Sequence, residues 1–156
     1  MDRLEIQSQL ARARARLLSA VESLEAGETT LPVSEGWTLC DVLAHIAGWA
    51  AWDLHSINAI RQGEQPDLSA IEDVDAFNAK LVAEREEWSL SRILAEMEGM
   101  QIAMQALLTG ISNQELFESV VFQGPYWSNL AEWLQAAWEH EEEHAAQIER
   151  WPEQPG

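Results

Sequence analysis

Histidine spacing is the clearest chemical signal in this chain. Four histidines occur among 156 residues, and His140 and His144 lie four positions apart. Because each residue of a helix turns about 100°, these two imidazoles share one face with Trp133, Ala137 and Ile148, where a core is expected. Histidines at this spacing can bind one metal ion. They could equally be two core histidines with hydrogen-bond partners, and the spacing alone does not decide between these interpretations.

A third imidazole is predicted to come from a second helix. His45 lies at the edge of an apolar stripe beside Trp49, whereas His55 lies about 80° further round the same helix, on its more exposed side. His45 could therefore meet His140 and His144 inside a helical bundle, and His55 could not. Three neutral imidazoles suit zinc, nickel or iron as divalent ions. They leave at least one coordination position for water or substrate, which is typical of catalytic metal sites.

Glu141 and Cys40 are further candidates for chemistry near the histidines. Glu141 lies about 100° from His140 and could act as a general base or orient an imidazole. It could also pair with Arg14 on the apolar face of the first helix, and the sequence favours this ion pair. Cys40 is predicted to be a buried small residue rather than a nucleophile, because no histidine is expected close enough to activate it.

Tryptophan is frequent in this chain, with eight residues. Large aromatic rings can line a pocket or fill a core, and for each single ring the second role is the more common one. The tryptophans that could wall a pocket near the histidines are Trp37, Trp49, Trp52, Trp133 and Trp151.

Helical periodicity runs between the glycine and proline breaks, and signals for β-strands are nearly absent. A capping-box spacing from Thr38 to Asp41 marks the start of the second helix, Ser89 can cap the fourth, and Ser128 or Asn129 opens the last. The predicted helices cover about residues 2–26, 38–62, 73–86, 89–109 and 129–151. Four long helices with one additional short helix predict an all-α four-helix bundle, with residues 1–156 as a single domain.

The charge balance disfavours several classes of partner. Nine Lys and Arg against 27 Asp and Glu give a formal net charge of −18. Binding to nucleic acid or to an anionic membrane surface depends on clustered cations, so neither is expected as a partner. A single cysteine precludes an intramolecular disulfide and favours a reduced, cytoplasmic location. The sequence has no stretch apolar enough to cross a membrane and no glycine-rich phosphate loop.

Two segments resemble motifs of one protein family. The run GWTLCDVLAHIAGW, from Gly36 to Trp49, resembles the start of helix 2 in the DinB-like/YfiT-like metalloenzyme superfamily, where the pattern G-W-[ST]-x-x-D-[VL]-[LV]-x-H supplies the first metal-binding histidine. The run WEHEEEHAAQI, from Trp138 to Ile148, resembles the last-helix motif H-x-x-x-H-x-x-Q-I, which supplies the other two. The run DVDAFN, from Asp73 to Asn78, is similar to the segment after helix 2 in some members.

The resemblance implies a four-helix bundle that holds a metal between its helices. Residue by residue, it assigns His45, His140 and His144 as the metal ligands. Members of the superfamily include thiol-dependent S-transferases and the mycothiol-dependent maleylpyruvate isomerase. The ClbS/DfsB-like proteins, which look similar around the Gly-Trp-Thr segment, are linked to detoxifying a reactive genotoxin. A homodimer is compatible with the superfamily.

The expected function is metal-assisted hydrolysis or thiol transfer on a small substrate, with a low-molecular-weight thiol as a candidate cosubstrate. Zinc, nickel and iron remain open as the metal, because three imidazoles suit all of them. The alternative is a non-enzymatic protein of the ClbS/DfsB type that binds, sequesters or protects against a small molecule. A third class, a partner-binding bundle, predicts a large exposed apolar face and no pocket at the histidines.

Overall fold

The computed structural model describes residues 1–24, 32–34, 36–118 and 127–151. Within these residues the chain is all-α, as predicted, with four helices of 20 to 23 residues and three shorter ones. The elements in chain order are α1 (Arg3–Glu22), β1 (Pro32–Ser34), β2 (Trp37–Thr38), α2 (Leu39–Arg61), α3 (Ser69–Glu72), α4 (Val74–Glu84), α5 (Leu90–Thr109), α6 (Asn113–Glu118) and α7 (Leu130–Arg150). No helix among the described residues is long and apolar enough to cross a membrane.

The capping signals in the sequence place the helix starts correctly. Thr38 accepts a hydrogen bond from the backbone N–H of Asp41, whose carboxylate accepts one from the N–H of Thr38 in return, so the predicted capping box is present. Ser89 caps α5 through its hydroxyl. For α7 the cap is Asn129, which accepts from the N–H of Glu132. Each cap satisfies backbone donors that the helix itself leaves without partners.

The structure differs from the helix predictions in three places. The first helix was expected to reach Ala26, but α1 ends at Glu22, and residues 25–31 lie outside the described part. The helix expected over residues 73–86 is α4, whereas α3 directly before it was not predicted. Asp73 has a non-helical backbone and its side chain caps α4, so a continuous helix cannot pass through it. Helix α6 was not predicted, although Ser112 carries its cap.

A short antiparallel pair of strands, β1 with β2, leads directly into α2 and was also not predicted. Pro32 lies opposite Thr38 in this pair. Gly36 adopts a φ of 87° between the strands, a conformation that residues with a Cβ rarely take. Because β2 ends at the cap of α2, the turn helps to define where the helix that carries His45 begins.

The chain divides into two compact units, and the prediction of a single domain stays a prediction. One unit comprises residues 1–29 and 104–156, and the other residues 30–103. In the first unit α1 packs along α7, and in the second α2 packs against α4. Fully buried side chains of the first unit include Ile6, Leu17, Trp133, Leu134 and Ile148. Those of the second include Leu39, Leu43, Ile57, Ile93 and Met97.

Helices α2 and α4 approach each other closely at Gly48. A Cβ at this position would lie 2.5 Å from Cδ2 of Leu81, so the present packing requires glycine. One helical turn before Gly48 on α2 is His45, and one turn before Leu81 on α4 is Asn78. The close approach therefore brings the side chains of His45 and Asn78 within hydrogen-bonding distance.

Candidate metal centre

His45 on α2 is held by an amide from α4. Its side chain is buried, with 5% exposure, and its Nδ1 lies 2.9 Å from Oδ1 of Asn78. The indole N–H of Trp49 donates to the same oxygen at 2.6 Å. Because an indole nitrogen can only donate, the atom that it meets must be the acceptor oxygen of the amide. Nδ1 of His45 therefore carries the proton, and Nε2 carries the lone pair that a metal requires.

Aromatic rings surround His45 within its own unit. The ring of Trp37 lies 5.1 Å from that of His45, centroid to centroid. Trp49 packs edge-on against Trp52 and Phe77, with centroids 5.2 and 4.8 Å apart. Rings packed in this way shield the hydrogen bonds of His45 from water and strengthen them. Three of the five tryptophans expected around the histidines thus belong to the surroundings of His45.

His140 and His144 face each other across one turn of α7. Their Nε2 atoms lie 3.0 Å apart, and both side chains are half-buried. Nδ1 of His144 lies 3.0 Å from Oε1 of Gln147, the geometry in which the imidazole N–H donates to the amide oxygen. Two neutral imidazoles this close either share one proton between their Nε2 atoms or direct both lone pairs to one cation.

The protonation of His144 suits metal binding. Burial lowers the pKa of its imidazole, and the hydrogen bond that it donates to Gln147 and the charges of Glu143 and Glu141 oppose that effect without cancelling it. The lowered pKa leaves His144 mainly neutral at pH 7. Only the neutral imidazole has a lone pair that can coordinate a metal.

The three predicted histidines are divided between the two compact units, with His45 in one and His140 and His144 in the other. Nitrogen ligands about 2.0–2.1 Å from one ion lie roughly 3–3.5 Å from one another, so the pair on α7 already has the required spacing. That the three histidines hold one metal ion together stays a prediction. His55 is exposed.

Glu141 forms the ion pair that the sequence favoured. Nε of Arg14 on α1 donates to Oε1 of Glu141, and the two side chains are only 6% and 11% exposed. Burial of one charge requires the other, because an unpaired charge in a protein interior is very costly. The alternative role of Glu141 as a general base stays a prediction.

Cys40 is placed as an unreactive thiol. Its side chain is half-buried, and burial raises the pKa of the thiol, with a further contribution from the charge of Asp41. A raised pKa keeps the thiol protonated at neutral pH, and the thiolate is the nucleophilic form. Cys40 was expected to be buried and is only half-buried, and its lack of a nucleophilic role stays a prediction.

Sequence reasoning did not assign the two amides that hold the imidazoles. Gln147 lies three residues after His144 on the same helix, so its spacing was a usable signal. Asn78 lies 33 residues from His45, and no local spacing could connect the two. The run from Asp73 to Asn78 was noted only as part of the family resemblance.

The described residues form an all-α protein with two facing histidines on its last helix. The profile of the DinB superfamily matches residues 9–148, a range that includes all three histidines. The chain therefore belongs to the DinB superfamily. A search of the curated proteins finds no match.

Solved structures with low sequence identity share the fold. An uncharacterised protein from Escherichia coli UTI89 aligns with a TM-score of 0.83 at 12% identity, covering 97% of this chain and 93% of that chain. The colibactin self-resistance protein ClbS, solved in complex with double-stranded DNA, aligns with a TM-score of 0.81 at 14% identity, covering 99% and 98%. DfsB, described as a sibling lethal factor precursor, gives 0.82 at 16% identity, covering 98% and 96%. At these identities the likeness shows the fold alone.

Proposed function

We propose that this protein binds one divalent transition-metal ion, zinc, nickel or iron, through His45, His140 and His144. The distance of 3.0 Å between the Nε2 atoms of His140 and His144 carries the proposal. A single cation can accept both lone pairs at that spacing. The fixed Nδ1–H tautomer of His45 supports the proposal further, because it leaves Nε2 as the ligand atom.

The reaction that suits this donor set is metal-assisted hydrolysis or thiol transfer on a small substrate. When bound, a divalent ion at such a site supplies Lewis-acid activation of a water molecule or of a low-molecular-weight thiol. The three imidazoles bind the ion, and Asn78 and Gln147 accept their Nδ1 protons. We assign no proton transfer to Glu141, because its carboxylate is engaged by a guanidinium.

A second candidate function is protection by binding a small molecule. The likeness to ClbS, a self-resistance protein, and to DfsB over nearly the whole chain favours this candidate. The solved ClbS complex contains double-stranded DNA, in contrast to the expectation from charge for the present chain. A formal net charge of −18 opposes contact with a phosphate backbone, so we propose a small molecule as the partner.

The first experiment is the metal content of untagged protein, measured by plasma mass spectrometry. We expect about one metal ion per chain in the wild type, and loss of the ion in His140→Ala, His144→Ala and His45→Ala. His55→Ala is the matched control, since its imidazole is exposed. A wild type that takes up no zinc, nickel or iron(II) would refute the metal proposal.

A second experiment separates the two candidate functions. The metal-loaded wild type and His140→Ala are compared for turnover of hydrolysable esters and amides and for transfer of glutathione-like thiols. Turnover that depends on His140 supports the enzyme. Metal binding without turnover, together with saturable binding of a small hydrophobic ligand, supports the protective protein. Binding of double-stranded DNA at physiological salt would overturn the proposed small-molecule partner.

A further inference from the structure

We propose that Asn78 is a positioning residue that sets the tautomer of His45. The functional meaning of this role rests on the proposed metal site, but the tautomer itself can be observed in metal-free protein. Asn78 is on α4 and His45 on α2, and the two helices belong to the same compact unit. The role requires an amide oxygen of fixed orientation, a buried imidazole and a fixed distance between the helices.

The orientation of the amide is determined by Trp49. Two donors, the indole N–H of Trp49 and Nδ1 of His45, converge on Oδ1 of Asn78 at 2.6 and 2.9 Å. A carbonyl oxygen has two lone pairs and can accept both hydrogen bonds. If the amide rotated, its NH₂ group would face the donor-only indole and that hydrogen bond would be lost. Trp49 therefore keeps the oxygen directed at His45.

The buried position of His45 makes this contact decisive. In the other tautomer the lone pair of Nδ1 would face the lone pairs of Oδ1, and the contact would become repulsive. At 5% exposure His45 has little access to bulk water that could replace the lost partner. Burying a polar group without a hydrogen-bond partner is energetically unfavourable. The proton is consequently held on Nδ1, and Nε2 is presented as a ligand.

The close contact between Gly48 and Leu81 fixes the distance between the two helices. Cδ2 of Leu81 lies 2.5 Å from the position that a Cβ of residue 48 would occupy, so the side chain of Leu81 packs directly against the backbone of α2. The hydrogen bond between His45 and Asn78 lies one turn away on both helices. The packing of Leu81 against Gly48 thus holds α2 and α4 close enough for this hydrogen bond.

The test compares Asn78→Leu with Asn78→Asp. Leucine keeps the approximate shape and removes the acceptor, whereas aspartate keeps an acceptor oxygen for both donors. Asn58→Leu is the matched control, because it makes the same chemical change on α2 away from His45. Asn78→Ala, which favours a helix, gives the same comparison if the leucine variant does not fold.

The primary readout is the tautomer of His45 in metal-free protein, measured from nitrogen–proton correlations of the imidazole ring. The His45 signals are assigned by their loss in His45→Ala. We expect the Nδ1–H form in the wild type, Asn78→Asp and Asn58→Leu, and a large fraction of the Nε2–H form in Asn78→Leu. An unchanged tautomer in a folded Asn78→Leu or Asn78→Ala variant would overturn the proposal.

The second readout is the affinity for zinc, measured by competition with a chelator. Loss of a hydrogen-bond partner of a metal-bound histidine typically weakens the affinity about 10–100-fold, and we expect this loss in Asn78→Leu but not in Asn78→Asp. The two proposals can fail separately. A tautomer change in a protein that binds no metal supports the role of Asn78 and refutes the metal site. Zinc binding by the wild type, together with an unchanged tautomer in Asn78→Leu, supports the metal site and refutes the role of Asn78.

Discussion

The single histidine of α2 and the two histidines of α7 are held by different kinds of contact. His45 depends on Asn78, which lies 33 residues away on another helix. His140 and His144 contact each other, and the amide that binds His144 belongs to Gln147 on the same helix. One part of the candidate site therefore follows from the geometry of a single helix, and the other requires two helices packed at a fixed distance.

Because of this difference, His45 is more easily disturbed than the pair on α7. Within α7 the positions of both imidazoles are set by backbone hydrogen bonds of a helix of 21 residues. A change in packing moves that pair as a unit and leaves the distance between its Nε2 atoms nearly unchanged. At His45 a small shift of α4 relative to α2 would alter the hydrogen bond to Asn78 directly. Substitutions at each part of the site test this difference.

The largest loss of stability is expected at the ion pair that joins α7 to α1. Arg14→Met or Glu141→Leu leaves one buried charge without its partner and should reduce the free energy of unfolding by about 3–5 kcal/mol. The double variant should recover most of this loss, because two apolar side chains can replace a buried pair. Urea denaturation monitored by circular dichroism measures both effects.

Arg16→Ala is the control for the ion pair. Arg16 and Glu149 connect the same two helices but are 48% and 41% exposed, so the expected loss is only about 0.2–1 kcal/mol. If the double variant at Arg14 and Glu141 is as unstable as either single variant, charge compensation is not the reason for the pair. Metal content that persists in a folded double variant would also exclude Glu141 from the metal site.

The next effect in size is the loss of a metal ligand. Structural zinc sites with four ligands bind the ion with about 10–16 kcal/mol. Divided equally among the four ligands, this energy corresponds to roughly 10²–10³-fold in affinity for each one. In His140→Ala the affinity for zinc should fall by the upper end of this range, since the substitution breaks the close pair on α7. In His45→Ala the affinity should fall by the lower end, because His140 and His144 remain as a two-imidazole chelate. Competition with a chelator measures all three constants, and an equal loss in the two variants would contradict the comparison.

A smaller contrast is expected between the two amides. Asn78→Leu should weaken zinc binding about 10–100-fold, whereas Gln147→Leu should weaken it less than about tenfold. Gln147 is half-buried beside a half-buried imidazole, so water can replace its oxygen. His45 is buried and has less access to water. Isothermal titration of the two variants with zinc tests the order, and a greater loss for Gln147→Leu would reverse it.

The smallest expected effects are changes in the free energy of unfolding, of opposite sign, when two glycines are replaced by alanine. Gly99→Ala should raise the free energy of unfolding by about 0.5–1 kcal/mol, because the position is helical and a Cβ there meets nothing within 4 Å. Gly48→Ala gains the same helix propensity but overpacks against Leu81, which costs about 1–3 kcal/mol, so a net loss of about 1 kcal/mol is expected. Urea denaturation compares them. Equal stabilisation by both would show that α4 yields to the added methyl group.

Contacts within four residues were predictable from the sequence alone. The all-α class, the capping box of Thr38 with Asp41 and the facing pair His140 and His144 all follow from the fixed geometry of a helix. The start of α4 at Asp73 was predicted to within one residue, whereas α3 was missed, because four residues are too few for an apolar period to show.

Only the tertiary structure decided which side chain orients His45 and which of its nitrogens carries the proton. That outcome depends on the approach of Leu81 to Gly48 and on the indole of Trp49, and the contacts span about 30 residues of chain. Periodicity states which side chains share a face of one helix, but not which position of a second helix lies opposite. The pairing of helices is settled by the packing of complementary surfaces, and no local rule of spacing encodes it.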